Sequence, residues 1–243
     1  MAMEIADRSE SEPGPPDQGI LGQAAAESAA ASELAMTYPA SFPLEHPWAG
    51  RTLELALKRT MDIVGSLVGL ALSAPLLLLA AVAIKLDSPG PVLYRQKRVG
   101  RGNKEFTIYK LRTMVQDAEK DGPKWAERDD GRVTPVGRLL RLTRIDELPQ
   151  FWNVLIGEMS LVGPRPERKC FVREFVKEDP RFAWRTMVKP GITGWAQVNG
   201  GYDLKPVEKL AYDLEYIQGF SLGLELKIIL RTIGVIFRGD GAR

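Results

Sequence analysis

The sequence is short of the side chains on which much enzyme chemistry depends. Its 243 residues contain one cysteine, Cys170, and one histidine, His46. A single cysteine excludes an internal disulfide, and these two residues cannot supply the ligands of a structural zinc site. His46 lies in a segment without apolar runs, so we expect no histidine-based catalytic triad. Chemistry in this chain must therefore use carboxylates, lysine, arginine, hydroxyl groups or a hard cation such as Mg²⁺.

The chain also has little net charge. Its 33 basic and 31 acidic residues give a formal charge of +2, which is low for a chain that binds nucleic acid along its whole length. The charge is unevenly divided, because residues 1–50 contain eight acidic residues and one basic residue. That segment also contains six prolines and eleven alanines. We predict that residues 1–50 are a disordered acidic tail and not a signal peptide.

A long apolar segment follows this tail. Residues 63–84 carry no charge, and these 22 residues are enough to cross a bilayer as a helix. Pro75, which follows Ser73 at the middle of the segment, lacks the N–H that would bond to the carbonyl four residues earlier. Basic residues flank both ends, and positive charge marks the cytoplasmic side. We predict a re-entrant membrane helix over 51–90, broken at Ser73 and Pro75; the alternative is a kinked ordinary span.

The rest of the chain, residues 91–243, is predicted to form a small mixed α/β domain. Short strands are expected at 92–94 and 106–109, around a glycine-containing turn at 100–103. Helices are expected at about 146–156, 167–178, 206–218 and 221–237, with a glycine-rich loop at 190–201. The last helix could lie in the membrane interface or pack on a core. Trp195 in the loop could stack on a base or sugar, or simply pack.

Asp146 and Glu147 are the most informative carboxylate pair. They follow Arg141 and Arg144 and precede Pro149, which a helix tolerates only in its first turn. We therefore predict that a helix begins near Asp146 and that Asp146 caps it, which could be its whole role. The helix N-terminus and the two arginines would also stabilise the carboxylate anion that attack on phosphorus requires. Glu147 could then relay a proton or help to hold Mg²⁺.

Several cations could bind phosphate near these carboxylates. Lys110 and Arg112 alternate in a predicted strand, so we expect both on one face. Arg165 lies between two prolines, and a fixed guanidinium binds phosphate through two donors. Lys110, Arg141 and Arg165 are therefore candidate phosphate ligands, and a basic face toward anionic lipid is the alternative. We expect that surface role for four further cations: Lys97, Arg98, Arg101 and Lys104.

Three long motifs occur in order after the apolar segment. They are PVLYRQKRVGRGNKEFTIYKLRTM (91–114), RLTRIDELPQFWNVLIGEMSLVGPRPE (141–167) and KPGITGWAQVNG (189–200). Together with the Ser-x-Pro of the apolar segment, they resemble the bacterial sugar transferase family, the monotopic phosphoglycosyl transferases. The resemblance covers roughly residues 55–240, leaves residues 1–50 outside it, and is to the short, minimal form of the family.

The resemblance implies a reaction and its substrates. A sugar 1-phosphate would move from a UDP-sugar to a polyprenol phosphate, usually undecaprenyl phosphate, and UMP would be released. This is the first membrane step in assembling exopolysaccharide, capsule, O-antigen or glycoprotein glycans. The enzyme would be monotopic in the bacterial inner membrane, with its catalytic domain on amphipathic interfacial helices facing the cytoplasm. Membrane lipid is an expected partner, nucleic acid is not, and a homodimer is a further expectation.

The resemblance also implies roles for individual residues. Asp146 would be the nucleophile that forms a phosphoryl-sugar–aspartate intermediate, and it would contact Mg²⁺. Glu147 would handle a proton on or near the acceptor phosphate. Lys110, Arg141 and Arg165 would bind the phosphate groups of donor or acceptor.

Two other readings explain part of the sequence. A non-catalytic, membrane-anchored basic module that binds anionic lipid would account for the charge and the apolar segment. It would not account for the placement of Asp146 and Glu147. A single-span membrane protein with an external domain would account for the apolar segment alone.

Overall fold

The computed structural model describes residues 46–120, 122, 130–200 and 205–238. Within these residues, one long helix joins a mixed α/β domain that contains two small sheets, as the sequence predicts. The α-helices are α1 Thr52–Asp87, α2 Pro135–Leu142, α3 Gln150–Ile156, α4 Lys169–Glu178, α5 Trp195–Asn199, α6 Pro206–Gln218 and α7 Leu222–Arg238. The strands are β1 Leu93–Val99, β2 Glu105–Leu111, β3 Ser160–Val162 and β4 Gly191–Thr193, and 3₁₀ turns span Arg101–Asn103, Ile145–Glu147 and Pro180–Met187.

Strands β1 and β2 form the expected antiparallel hairpin. The pairing runs from Leu93 opposite Leu111 to Val99 opposite Glu105. Gly102 and Asn103 have φ angles of 66° and 59° in the connecting turn, a conformation that glycine and asparagine adopt most readily. The hairpin was predictable because its turn chemistry is local.

The expected loop at 190–201 is structured. Gly191–Thr193 pairs with β3 in a parallel sheet, and helix α5 follows directly. A side-chain carbon on Gly191 would lie 2.1 Å from the Gly163 nitrogen, so this approach of the two backbones requires glycine. The glycines therefore permit close strand pairing, and the prediction of a loop over 190–201 is wrong for β4 and α5. Trp195 in α5 is buried, with Lys227 and Arg231 over its ring, so the packing alternative holds there.

Helix α1 contacts the α/β domain near both of its ends. Near the start, Asp62 accepts hydrogen bonds from Ser160 Oγ and Leu161 N, both at 2.9 Å. Near the end, the Arg112 guanidinium donates to the carbonyls of Ser88 at 2.8 Å and Ile84 at 3.4 Å. A straight helix of 36 residues would be about 54 Å long. One domain thus holds both ends of an apolar helix, as a re-entrant segment requires.

Pro75 lies inside α1 and does not end it. The helix is continuous from Thr52 to Asp87, and the Ser73 hydroxyl donates to the Leu70 carbonyl at 3.3 Å. The expected interruption at Ser73 and Pro75 is therefore not a gap between two helices. Re-entry itself stays a prediction.

A buried ionic network ties α1 to the last two helices. Lys58 Nζ lies 2.6 Å from Glu225 Oε2, and Tyr216 donates to Glu225 Oε1 at 2.5 Å. Lys58 also donates to the Val162 carbonyl at 3.2 Å. All three side chains of the network are buried, so each charge depends on its partner.

The predicted tail ends earlier than expected. Trp48 is 4% exposed, donates to the Ile217 carbonyl at 2.8 Å and stacks on Phe220 with ring centres 4.1 Å apart. The assignment of residues 46–50 to a disordered tail is therefore wrong, because an aromatic side chain within them joins the core. The remainder of that predicted tail, residues 1–45, lies outside the described residues.

Helix α3 buries its polar side. Gln150, Asn153 and Val154 are buried, whereas Trp152 is 49% exposed. Asn153 donates to the Thr107 carbonyl at 2.7 Å and accepts from Tyr109 N at 3.2 Å, and thereby fixes the helix to β2.

Arg98 does not lie on the basic surface where the sequence predicts it. Its side chain is largely buried and donates to Glu167 Oε2 and to the Pro166 carbonyl, both at 3.2 Å. It is thus an internal ligand of the 163–167 loop and not part of a solvated basic face.

Large apolar side chains cover much of the surface. Helix α1 is long and apolar enough to cross a membrane by length and composition, and 17% of its apolar window is buried. The last helix packs on the core through Ile228, which is buried, while Leu230 and Ile233 are exposed; its place in the membrane interface stays a prediction. Further exposed apolar side chains lie on the shorter helices: Leu139, Leu142, Trp152, Ile156, Leu226 and Ile236.

Candidate active site

A cavity of about 1530 Å³ lies between α1, the hairpin and the C-terminal helices. One part of its wall is apolar and comes mainly from α1, α3 and α7. The lining also includes the carboxylates and cations that the sequence singled out. The cavity is lined by all five of these: Lys110, Arg141, Asp146, Glu147 and Arg165. The structure therefore brings together every predicted catalytic and phosphate-binding residue.

Asp146 and Glu147 lie in a 3₁₀ turn before α3. Arg144 precedes this turn in the left-handed region, at φ 60°. Helix α3 starts at Gln150 with Pro149 as its N-cap residue. Asp146 therefore does not cap the helix, and the capping prediction is wrong. The left-handed residue redirects the chain so that both carboxylates reach the cavity.

Glu147 is bound by cations from three directions. Lys110 Nζ lies 2.7 Å from Oε1, and Arg165 Nη2 lies 2.5 Å from the same oxygen. Arg144 Nη1 is 3.9 Å from Oε2. Burial opposes ionisation, but Arg165 and Lys110 hold the pKa of Glu147 well below its usual value. Glu147 is thus a fixed anion that orders two cations beside Asp146.

Asp146 has a contrasting environment. Among the described residues, none donates a hydrogen bond to its carboxylate, although the side chain is only 7% exposed. Burial, followed by the neighbouring Glu147 charge, raises the pKa of Asp146 to about 6, against a smaller opposing effect of Lys110 and Arg141. The arginines expected to lower its pKa are thus outweighed, and Arg144 pairs with Glu147 instead. Of the two carboxylates, Asp146, which no described residue binds, therefore has the higher pKa.

The other predicted ligands divide into two groups. Arg141 is oriented by its Nε, which donates to Thr113 Oγ1 at 2.8 Å, and it faces the cavity. Arg112 directly follows β2 and lines the same cavity as Lys110, as expected for residues on one face, but its guanidinium donates to the Ser88 carbonyl after α1. Ser73 and Pro75 do not line the cavity, although Leu76 does.

Sequence reasoning missed one pair that borders the cavity. Arg185 Nε donates to Asp213 Oδ2 at 2.7 Å, and both residues line the cavity wall. They are 28 positions apart, on the 3₁₀ turn Pro180–Met187 and on α6. No local pattern relates them, so only the folded chain shows the contact.

The residues present allow a limited role for a divalent ion. The described part of the chain contains no cluster of three or more side chains that could hold a metal. Mg²⁺ commonly takes one or two carboxylates and completes its shell with water and substrate phosphates. Asp146 fits such a site as a ligand, because no side chain in the described part of the chain donates to its oxygens, whereas the Glu147 oxygens are occupied by cations.

Comparison with known proteins gives one consistent family. The model of the bacterial sugar transferase family matches residues 53–239. A UDP-N-acetylgalactosamine-undecaprenyl-phosphate N-acetylgalactosaminephosphotransferase of Aeromonas hydrophila is 50% identical over 190 residues, which are 77% of this chain and 45% of that protein. A UDP-glucose:undecaprenyl-phosphate glucose-1-phosphate transferase of Caulobacter vibrioides is 49% identical over 192 residues, 76% of this chain and 71% of its own length. An exopolysaccharide production protein of Rhizobium leguminosarum is 40% identical over 202 residues and is matched along 100% of its length.

Proposed function

This chain belongs to the bacterial sugar transferase family, and on that premise we propose that it transfers a sugar 1-phosphate from a UDP-sugar to undecaprenyl phosphate. The names of relatives at 50% and 49% identity describe such transfers, with N-acetylgalactosamine and with glucose. The observation that carries the proposal is the Asp146 carboxylate, to which no described residue donates a hydrogen bond, in a cavity that is also lined by Lys110, Arg141 and Arg165.

In the first step, an oxygen of Asp146 attacks the phosphorus that carries the sugar. A P–O bond forms to Asp146 and the bond to the UMP oxygen breaks, so UMP leaves with the electron pair. The pKa of about 6 supports this role, because the carboxylate is mostly ionised at neutral pH and still more basic than an ordinary aspartate. The product of the step is a sugar phosphate joined to Asp146.

In the second step, an oxygen of the lipid phosphate attacks the same phosphorus. The bond to Asp146 breaks, the carboxylate is regenerated, and the lipid keeps the sugar linked through a diphosphate. Separate steps allow the water-soluble donor and the lipid acceptor to react in turn with one residue.

The cations offset the repulsion between two anionic substrates. Lys110, Arg141 and Arg165 would contact phosphate oxygens and stabilise the charge that develops during transfer. Bound Mg²⁺ would add neutralisation of the phosphate charge, with Asp146 among its ligands. Glu147 keeps Lys110 and Arg165 in place before either substrate arrives. Its proposed proton transfer with the acceptor is less well supported, because its low pKa makes it a weak base.

The apolar side of the cavity suits the lipid substrate. Val64 and Leu76 of α1, Phe151 of α3, and Ile229 and Ile233 of α7 line it. A polyprenol chain that entered along these helices would place its phosphate toward the cations. The exposed apolar side chains of α1, α2, α3 and α7 would contact the bilayer of the bacterial inner membrane, with the α/β domain on the cytoplasmic side. In that setting the enzyme would begin assembly of a lipid-linked glycan.

Release of UMP tests this function. The protein, in nanodiscs with undecaprenyl phosphate and Mg²⁺, is given UDP-glucose or UDP-N-acetylgalactosamine, and UMP and lipid-linked sugar are measured together. We expect both products in equal amounts from at least one donor, and neither from Asp146→Asn. Asp117→Asn changes an exposed aspartate and is the matched control. Lipid binding without transfer by a folded wild-type protein would instead favour the non-catalytic membrane module.

A further inference from the structure

The loop that presents Arg165 is fixed through its carbonyl groups. Its two flanking prolines, Pro164 and Pro166, have no N–H to donate. Three elements each donate one hydrogen bond to the loop: Gly191 N to the Pro164 carbonyl at 3.0 Å, Arg185 Nη2 to the Arg165 carbonyl at 2.9 Å, and Arg98 Nη1 to the Pro166 carbonyl at 3.2 Å. The donor to Arg165 itself is a side chain, so a single residue controls that point of the loop.

Arg185 is held rigidly for this contact. Its Nε donates to Asp213 Oδ2 at 2.7 Å, and its Cζ lies 4.4 Å from the centre of the Phe182 ring. The Arg185 side chain is 11% exposed and that of Asp213 is 2% exposed. Burying such a pair costs desolvation free energy that a pair of apolar side chains would avoid. A fixed guanidinium at this point therefore has a use beyond packing.

These contacts form a continuous chain that ends at the carboxylates. Asp213 binds Arg185, Arg185 binds the Arg165 backbone, and the Arg165 side chain binds Glu147 Oε1 at 2.5 Å. Asp146 is the residue directly before Glu147 in the chain. A small displacement at Arg185 is thus transmitted to the guanidinium beside the reacting groups.

We propose that Arg185, held by Asp213, is a positioning residue that sets the Arg165 guanidinium against Glu147 and the substrate phosphates. The inference rests on the proposed function and adds a pair of residues to it. In this role Arg185 acts through Arg165 and does not itself contact the transferred phosphate. A loosened Arg165 would stabilise the charge that develops on the transferred phosphate less, so kcat would fall.

The test uses Arg185→Lys and Asp213→Asn in the full chain. Lysine keeps the charge but cannot bind Asp213 and the Arg165 carbonyl with the same planar fork. Arg181→Lys is the matched control, because Arg181 forms an exposed pair with Asp179 on the same 3₁₀ turn. We expect kcat to fall by about 10- to 100-fold in both test variants and to stay unchanged in the control.

A double-mutant cycle separates positioning from direct substrate contact. In an Arg165→Lys background, Arg185→Lys should lower kcat by less than about threefold, because the residue it positions has been changed. Equal losses in both backgrounds would overturn the proposal, as would an unchanged kcat in both Arg185→Lys and Asp213→Asn. Wild-type turnover is measured in parallel. If the wild type transfers sugar phosphate, either of these results rejects the positioning role alone. If the wild type turns over neither UDP-sugar, the proposed function and this inference are both rejected.

Discussion

Asp146 and Glu147 are adjacent and both buried, yet their carboxylates have opposite electrostatic environments. Lys110 and Arg165 bind Glu147 at 2.7 and 2.5 Å, while no described residue donates a hydrogen bond to Asp146. The fixed Glu147 anion raises the pKa of Asp146, after burial has already raised it. One carboxylate thus organises the cations and the other remains available to react.

The pH dependence of transfer should report Asp146. Because the ionised form attacks phosphorus, kcat/KM should fall as the pH drops through about 6. The Glu147 charge raises the pKa of Asp146, so Glu147→Gln should lower that pKa and move the acid limb to lower pH. The maximal rate should also fall in this variant. The measurement is UMP release across pH 4.5–8.5, with wild type and Glu147→Gln run side by side. An acid limb that moves to higher pH in Glu147→Gln would refute the assigned coupling.

The raised pKa of Asp146 also predicts an effect on the stability of the fold. A folded-state pKa above the usual value means that Asp146 favours the folded state when protonated, and that this stability is lost as the pH rises through about 6. Asp146→Asn removes a buried negative charge, so its thermal midpoint at pH 8 should exceed that of wild type by about 3 °C or more. The difference should shrink at pH 5. Thermal unfolding in detergent at both pH values checks this, and a lower midpoint at pH 8 would contradict it.

Removal of divalent cations should abolish transfer. If Asp146 holds Mg²⁺ together with substrate phosphate, excess EDTA stops UMP release and added Mg²⁺ restores it. Mg²⁺ should lower the Kd of UDP for the wild type, and it should lower that Kd less for Asp146→Asn. Calorimetric titration with UDP measures this without turnover. Full activity in EDTA would exclude the metal role.

The Lys58–Glu225 pair should dominate the attachment of α1 to the domain. Lys58→Met leaves a buried carboxylate with only the Tyr216 hydroxyl, and such a change costs about 3–5 kcal/mol. Glu225→Gln in the Lys58→Met background removes the unpaired charge and should recover part of the loss. Thermal midpoints of the single and double variants test this. Equal destabilisation of Lys58→Met and of the double variant would show that the unpaired Glu225 charge is not the cause.

Local patterns predicted the elements whose chemistry is local. The hairpin at Gly102, the apolar α1 and the last two helices all follow from turn residues or apolar periodicity along the chain. Asp146 lines the cavity, but the expected helix cap is absent, because Arg144 in the left-handed region precedes a 3₁₀ turn and Pro149 is the N-cap residue of α3. The backbone geometry around Asp146 was therefore not predictable from the local pattern.

The remaining features depend on contacts between distant residues. Arg185 and Asp213 are 28 positions apart, and Trp48 reaches Ile217 across 169 positions. Helix α3 turns its polar side inward because Asn153 satisfies the backbone of β2, 44 to 46 positions away. Contacts of this kind follow no regular spacing along the chain, so patterns in a single sequence do not predict them.

The central claim is that Asp146 carries the sugar phosphate between two substrates. The most direct measurement is the intact mass of the purified protein after mixing with UDP-sugar and Mg²⁺ in the absence of lipid acceptor. We expect an added mass of one sugar phosphate, located on Asp146 by peptide fragmentation, absent from Asp146→Asn, and removed by undecaprenyl phosphate. UMP release that requires the acceptor, with no adduct at any time, would contradict the account and indicate direct transfer between the two substrates.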